Sequence, residues 1–191
     1  MASNFGVQTF GSLKLNLMQS IDQSVLNFFI SLRVEWLSFI FLVITYSASY
    51  VVIIGVTALS ALSFFIHKHY LRILTLLITV GGSAITIYLL KNIFYRARPL
   101  TEALYLESTY SFPSGHAAMA MALYGFIFYT IWTHQRHHLK NPFILFLGIL
   151  IILVGTSRLY LGVHYLSDVL AGYAIGLLWI WISHLISKLK I

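Results

Sequence analysis

Four stretches of this chain, Ile73–Leu90, Ala117–Thr133, Phe143–Thr156 and Val169–Ser187, contain no Lys, Arg, Asp or Glu and consist almost wholly of apolar and small residues. A run of this kind can leave water only as a helix in lipid or as the middle of a much larger core, because every backbone polar group must then be satisfied within the segment. Extending the third run to Leu161 brings in Arg158 alone. Only 9% of the residues are charged, against 59% hydrophobic, and the mean hydropathy is +0.87. A soluble domain carries about 25% charged residues. Disorder, collagen and a coiled coil are excluded by the same figures, and the absence of cysteine removes disulfides, thiolate metal sites and cysteine nucleophiles. The chain reads as an all-α integral membrane protein.

The segment before these runs is harder to divide. Trp36–Ile66 is uncharged, yet as one helix it would be roughly 46 Å long, too much for one crossing and too little for two. The polar run Thr45–Tyr50 is a natural break, which leaves Tyr50–Ile66 as a fifth span. A sixth would need Val25–Tyr46 and would carry Arg33 and Glu35 into lipid, so a bundle of five or six helices is expected. Residues 1–20 lack the features of a signal peptide. Residues 1–24 are expected to be a surface-lying or flexible segment ahead of a single membrane domain at 25–191.

Twelve basic residues against five acidic ones give a net charge of +7. In a membrane protein this excess belongs to a cytoplasmic face and to an anion site rather than to nucleic acid. Lys68, Arg72, Arg136, Lys140, Lys188 and Lys190 fall on one side by helix alternation, which the positive-inside rule assigns to the cytoplasm. Lys91, Arg96, Arg98 and Arg158 fall on the other, at the outer ends of the helices.

Three clusters meet at that outer level. Lys91, Arg98 and Pro99 close one span, Pro113-Ser114-Gly115-His116 opens the next, and Ser157-Arg158 with His164 and Asp168 link the last two. Lys91, Arg98 and Arg158 suit phosphate oxygens, the arginine fork gripping two at once. The Pro-Ser-Gly-His run sits at a helix start, where free N–H groups and the dipole favour an anion; Gly115 admits close backbone approach and Ser114 offers a hydroxyl. His164 and Asp168, four apart, share a helical face, so Asp168 can accept the Nδ1 proton and leave Nε2 as a nucleophile, while His116 can protonate a leaving oxygen.

Written as they stand, Lys91-x6-Arg98-Pro99, Pro113-Ser114-Gly115-His116 and Ser157-Arg158-x5-His164-x3-Asp168 resemble the signature of the type 2 phosphatidic acid phosphatase superfamily. That resemblance implies a helical bundle and a lipid phosphatase that works without metal or cofactor. The histidine matching His164 would form a phosphohistidine, Asp168 would support it and His116 would act as the acid. Lys91, Arg98, Ser114, Gly115, Arg158 and, more loosely, Ser157 would bind phosphate. The implied substrate is a lipid phosphate in the bilayer: phosphatidylglycerophosphate, phosphatidic acid or undecaprenyl diphosphate. Gly115, where some undecaprenyl diphosphate phosphatases carry aspartate, leans toward phosphatidylglycerophosphate. The implied location is a bacterial cytoplasmic membrane with the site on its outer face. A lipid phosphotransferase shares the first half-reaction, and an anion or lipid transporter is the competitor from another class, although no internal repeat supports it.

Other polar residues read more blandly. Arg96 reads as a cation snorkelling to the interface, with a secondary phosphate contact as the alternative. Glu102 and Glu107 read as solvated loop charges, His134–His138 as an interfacial basic loop rather than a metal site, and His184 as a packing histidine. Tyr105, Tyr110, Tyr160 and Tyr165 lie near the site as candidate headgroup contacts.

Overall fold

The computed structural model of the chain describes residues 10–99, 103–104, 107–134 and 140–188, and among these it contains seven α-helices and no strand. They are α1 (Phe10–Ser31), α2 (Glu35–Tyr46), α3 (Tyr50–Ile66), α4 (Tyr70–Phe94), α5 (Gly115–His134), α6 (Lys140–Tyr160) and α7 (Leu166–Lys188). The four uncharged runs lie within α4 to α7, and the fifth expected span coincides with α3. Among the described residues α4, α7 and the Pro142–Tyr160 part of α6 are each long and apolar enough to cross a membrane. Their outward faces are apolar, with Ile85, Leu145 and Trp181 exposed as lipid-facing side chains should be.

Val25–Tyr46 is not one helix. α1 ends at Ser31, the chain turns at residues 32–34, and α2 then runs for 12 residues, about 18 Å, before meeting α3 at a 45° bend. The polar run does break the helix where expected: Ser49 caps α3, its hydroxyl accepting from the Val52 amide. Arg33 is held at the turn, donating to the Tyr160 carbonyl at 3.0 Å, while the Tyr160 hydroxyl accepts from the Val34 amide at 2.9 Å. The boundary expected at residue 24 falls inside α1. Leu26 is buried there and Val25 and Phe29 pack on Leu159 and Val169, whereas Leu17, Met18 and Phe28 remain exposed. Residues 1–9 lie outside the described residues.

α5 is the central helix, its Ala117, Ala118, Ala120, Ala122 and Leu123 fully enclosed by α4, α6 and α7. Alanines let backbones approach, and the facing residues of α7 are Gly172 and Gly176. A Cβ on Gly172 would lie 2.6 Å from the Ser114 carbonyl oxygen, and one on Gly176 would lie 2.9 Å from that of Ala118. This small-residue seam, of the kind that brings membrane helices together, sets how close Pro113–His116 stands to the start of α7. Deeper in the bundle the Thr79 and Ser183 hydroxyls join α4 to α7 at 2.6 Å, and Trp179 Nε1 donates to Thr86 at 3.0 Å.

Candidate active site

Local backbone features turn the three clusters inward. α4 ends at Tyr95 in the left-handed region (φ 47°), and the Ser111 amide donates to the Arg96 carbonyl at 2.8 Å, folding the α4–α5 linker back over the helix ends. α6 ends in a glycine turn. Gly162 has φ 70°, Val163 N donates to Arg158 O at 3.2 Å, and the next residue is His164. At the start of α5 the Ser114 hydroxyl accepts from Ala117 N at 3.5 Å, while the Ser114 amide donates to the Asp168 carbonyl at 3.0 Å.

His164 is buried at the centre. Arg98 Nη1 donates to its Nε2 at 3.1 Å, so its ring proton is assigned to Nδ1, which faces Asp168 Oδ2 at 3.5 Å and Ser111 Oγ at 3.3 Å. The Ser111 hydroxyl in turn donates to Asp168 Oδ2, which also accepts from the Tyr165 amide at 2.9 Å. Burial pushes His164 down to about 4, against the upward pull of the Asp168 hydrogen bond, so the imidazole is neutral in ordinary buffers.

Arg98 also donates to the Thr109 carbonyl at 2.7 Å and the Val163 carbonyl at 2.8 Å. Lys91 shares that rim, reaching Thr109 Oγ1 at 3.4 Å and the Tyr110 carbonyl. Arg158 is fully buried, with Nη1 donating to Thr45 Oγ1 at 2.6 Å and Nη2 to a Glu107 oxygen. The other Glu107 oxygen accepts from Arg98 Nη2, and His116 Nδ1 stands 3.7 Å from the first.

Glu107 is therefore not a solvated loop charge. Although burial works to raise its pKa, Arg158 and Arg98 hold the carboxyl below its usual range. Its carboxylate oxygens sit where an oxyanion would be gripped by both guanidiniums beside both histidines.

Lys91, Arg98, Arg158, His116, His164 and Asp168 are thus drawn into one connected cluster, and Ser114 adjoins it through its backbone. Gly115 begins α5 beside His116. Ser157 is buried one residue from Arg158, but its hydroxyl donates to the Val154 carbonyl at 2.6 Å, within its own helix. Arg96 is likewise not a snorkelling cation; it points into the protein, onto Asp168, with Tyr165 beneath its guanidinium. Tyr160 packs the α1–α2 turn, and the Tyr110 backbone carbonyl meets Lys91. Tyr105, Glu102 and residues 135–139 of the basic loop lie outside the described residues. His184 accepts or donates at 2.5 Å with the Tyr129 hydroxyl, as a packing histidine does.

Sequence reasoning missed Ser111, Thr45, Thr109 and Glu107. Each is a single polar residue with no spacing pattern around it; only Thr45, at the head of the polar break, carried any signal.

A groove leads away from His116 between α3, α4 and α5. Its walls are apolar, including Ile53, Ala84, Ile87 and Met119, and its volume is about 640 Å³.

Residues 72–191 match the PAP2 superfamily. The chain is 34% identical over 170 residues to phosphatidylglycerophosphatase B of Bacillus subtilis (strain 168), covering 87% of this chain and 83% of that protein. Its fold is similar to that of a transmembrane PAP2 type phosphatidylglycerolphosphate phosphatase from Bacillus subtilis, with a TM-score of 0.85, 29% identity and coverage of 94% and 91%. Aquifex aeolicus LpxE shares the fold, with a TM-score of 0.70, 24% identity and coverage of 85% of this chain and 94% of that one.

Proposed function

The chain belongs to the PAP2 superfamily and is a membrane phosphatase, and from that premise we propose that it removes the terminal phosphate of a phosphatidylglycerophosphate-type lipid through a phosphohistidine. The observation that carries this reading is the Glu107 carboxylate held by Arg98 and Arg158 next to His116 and His164. An oxyanion is already bound there, and a phosphate offers the same two guanidiniums more oxygens and more charge.

In this reading phosphate replaces Glu107 and draws the Arg98 guanidinium off His164 Nε2. The freed lone pair attacks phosphorus, a nitrogen–phosphorus bond forms, and the bond from phosphorus to the lipid oxygen breaks. The incoming phosphate carries more negative charge than the Glu107 carboxylate it displaces and so favours a protonated His116, which delivers that proton to the departing oxygen. Water then attacks the phosphohistidine, His116 takes a proton back, and inorganic phosphate leaves with His164 restored. Asp168 holds the Nδ1 proton throughout, so the nucleophile keeps its tautomer and the developing imidazolium is balanced. Lys91, Arg98, Arg158, the Ser114 hydroxyl and the backbone at Gly115 neutralise the charge gathering on the phosphoryl oxygens. The proton of Ser157 is engaged inside α6, so its part is to pack behind Arg158.

The apolar groove supports a lipid rather than a soluble ester. Its polar end is His116, and the substrate's chains would lie between α3 and α4 while its phosphate reaches the cations. We read α3 to α7 as the crossing helices, α1 as lying at the interface, and the site as opening on the outer face of a bacterial cytoplasmic membrane, because the opposite helix ends carry the basic loops.

The test is phosphate release by the detergent-purified chain from phosphatidylglycerophosphate, phosphatidic acid and undecaprenyl diphosphate, with EDTA present. Release from the first, lost by at least about a thousandfold together with the trapped phosphoenzyme in His164→Ala, is the expected result. His164→Ala at near wild-type rate would overturn the mechanism. Transfer of phosphate only when an acceptor lipid is supplied would replace hydrolysis with phosphotransfer.

A further inference from the structure

The polar residues behind the reactive pair form a second array that the phosphate site does not use. Asp168 is buried and its two oxygens have separate tasks. Oδ2 faces His164, Ser111 and the Tyr165 amide. Oδ1 accepts from Arg96 Nη1 at 2.6 Å. The other arm of the same fork, Nη2, donates to Asp22 Oδ2 at 2.7 Å. Asp22 is itself only 2% exposed; its Oδ1 accepts from the Ser167 amide at 2.9 Å and its Oδ2 from the Ser167 hydroxyl at 2.5 Å. Arg96 Nη1 also donates to that hydroxyl at 2.7 Å, and the guanidinium lies 4.4 Å over the centre of the Tyr165 ring.

We propose that Asp22 and Arg96 form a positioning clamp for Asp168, through which helix α1 takes part in catalysis. This rests on the reading of His164 and Asp168 as nucleophile and orienting carboxylate. A buried carboxylate keeps its charge only where cations or donors compensate it, and a guanidinium fork fixes direction as well as charge. Arg96 holds the Oδ1 side of Asp168, which leaves Oδ2 directed at the imidazole. Asp22 holds Arg96 in turn: one guanidinium shared between two acids cannot rotate away from either without taking the cation from a buried carboxylate. From α1 the Asp22 carboxylate also meets the first turn of α7, accepting from the Ser167 amide where an acid is favoured by the free N–H groups, and this ties the clamp to the helix that bears Asp168. Neither residue touches the position of the reacting phosphorus. Arg96 lies inside the region matching the superfamily but between its signature cations, and Asp22 lies outside that region altogether.

The test compares full-length, detergent-purified Arg96→Ala, Arg96→Lys, Asp22→Asn and the Asp22→Asn/Arg96→Ala double variant, with phosphatidylglycerophosphate as substrate and orthovanadate as a probe of the phosphate cradle. Arg96→Ala should lower kcat by about 10- to 100-fold while KM and vanadate inhibition stay within about threefold, since Lys91, Arg98 and Arg158 are untouched. Arg96→Lys should recover part of that loss by restoring one charged donor. Asp22→Asn, nearly the same shape, should cost about five- to tenfold in kcat, and the double variant should be no worse than Arg96→Ala, because Asp22 acts through Arg96. Three results would each overturn the clamp: a kcat for Arg96→Ala within twofold of wild type, vanadate inhibition weakened in parallel with kcat, or losses that multiply in the double variant. His164→Ala separates this from the broader reading. If that variant is inactive while Arg96→Ala is unaffected, only the clamp fails; if it stays active, the nucleophile assignment fails first.

Discussion

Two clusters of arginine and carboxylate flank His164, and they differ in how completely their charges are matched. Behind the ring, Asp22 and Asp168 share Arg96, and their remaining oxygens are filled by the amides of Ser167 and Tyr165 and the hydroxyls of Ser167 and Ser111. In front of it, one carboxylate, Glu107, is shared by Arg98 and Arg158 with Lys91 on the rim. The rear cluster is a closed structure whose partners come from within the fold. Among the described residues the front cluster sets Lys91, Arg98 and Arg158 around Glu107, and that acid comes from a linker rather than from a helix. The same two residue types thus make a fixture in one place and, in the proposed reading, a receptor in the other; what distinguishes them is whether the carboxylate is anchored by helix amides or carried on a linker.

Separating the two clusters by mutation should give different kinetic signatures. The largest effect is expected at Asp168→Asn. An amide cannot hold the Nδ1 proton as a carboxylate does, so kcat should fall by roughly 10³- to 10⁴-fold while vanadate inhibition changes by only a few-fold. A comparable loss of vanadate affinity would show that the two clusters act as one. Glu107→Gln should act in the opposite direction on the front cluster alone. With the internal anion's charge gone, inhibition by inorganic phosphate and vanadate should tighten by about 3- to 10-fold, a difference on the order of 1 kcal/mol. Weaker inhibition in that variant would mean that Glu107 helps to hold the anion rather than competing with it.

The subtlest prediction concerns the ring between them. In the free protein His164 should titrate near 4 rather than near the ordinary 6.5, as followed by nitrogen NMR of histidine-labelled protein. The sign follows from burial. The folded chain resists a proton that the unfolded chain accepts, so this residue's contribution to stability is present above about 6.5 and is lost as pH falls toward 4. A midpoint near 6.5 would mean that water reaches the ring and that the front cluster is more open than its geometry indicates.

The signature residues were legible because their chemistry is costly in lipid. A chain with so few charges concentrates lysine, arginine, histidine and aspartate at one helix end only for a purpose, and their spacing follows the helix starts and stops. The helices α4 to α7 were legible for the same reason, through the lack of charge in Ile73–Leu90 and its counterparts. Glu107 was not, since a lone acid in a linker looks the same whether it faces solvent or two arginines 9 and 51 residues away in sequence. Arg96 was misread because hydrophobicity marks depth and not direction; whether a cation at a helix end turns outward or inward depends on a partner such as Asp22, 74 residues earlier. The seam at Gly172 and Gly176 is a pattern in the sequence, but two small residues four apart acquire meaning only once α5 is known to lie against them.

The groove between α3, α4 and α5 has a consequence for how this enzyme meets its substrate. In the proposed reading, a passage walled by Ile53, Ala84 and Ile87 that ends at His116 would be entered sideways, from within the bilayer. The rate at which a lipid reaches His164 is then set by its mole fraction among neighbouring lipids and by lateral diffusion, not by a bulk concentration. Diluting the substrate with inert phospholipid should slow turnover even when the total amount of substrate is unchanged. On the same reading the dephosphorylated product, which keeps the same chains, would leave through the same doorway and compete there with the next substrate, linking the pace of the reaction to how quickly the surrounding membrane carries its product away.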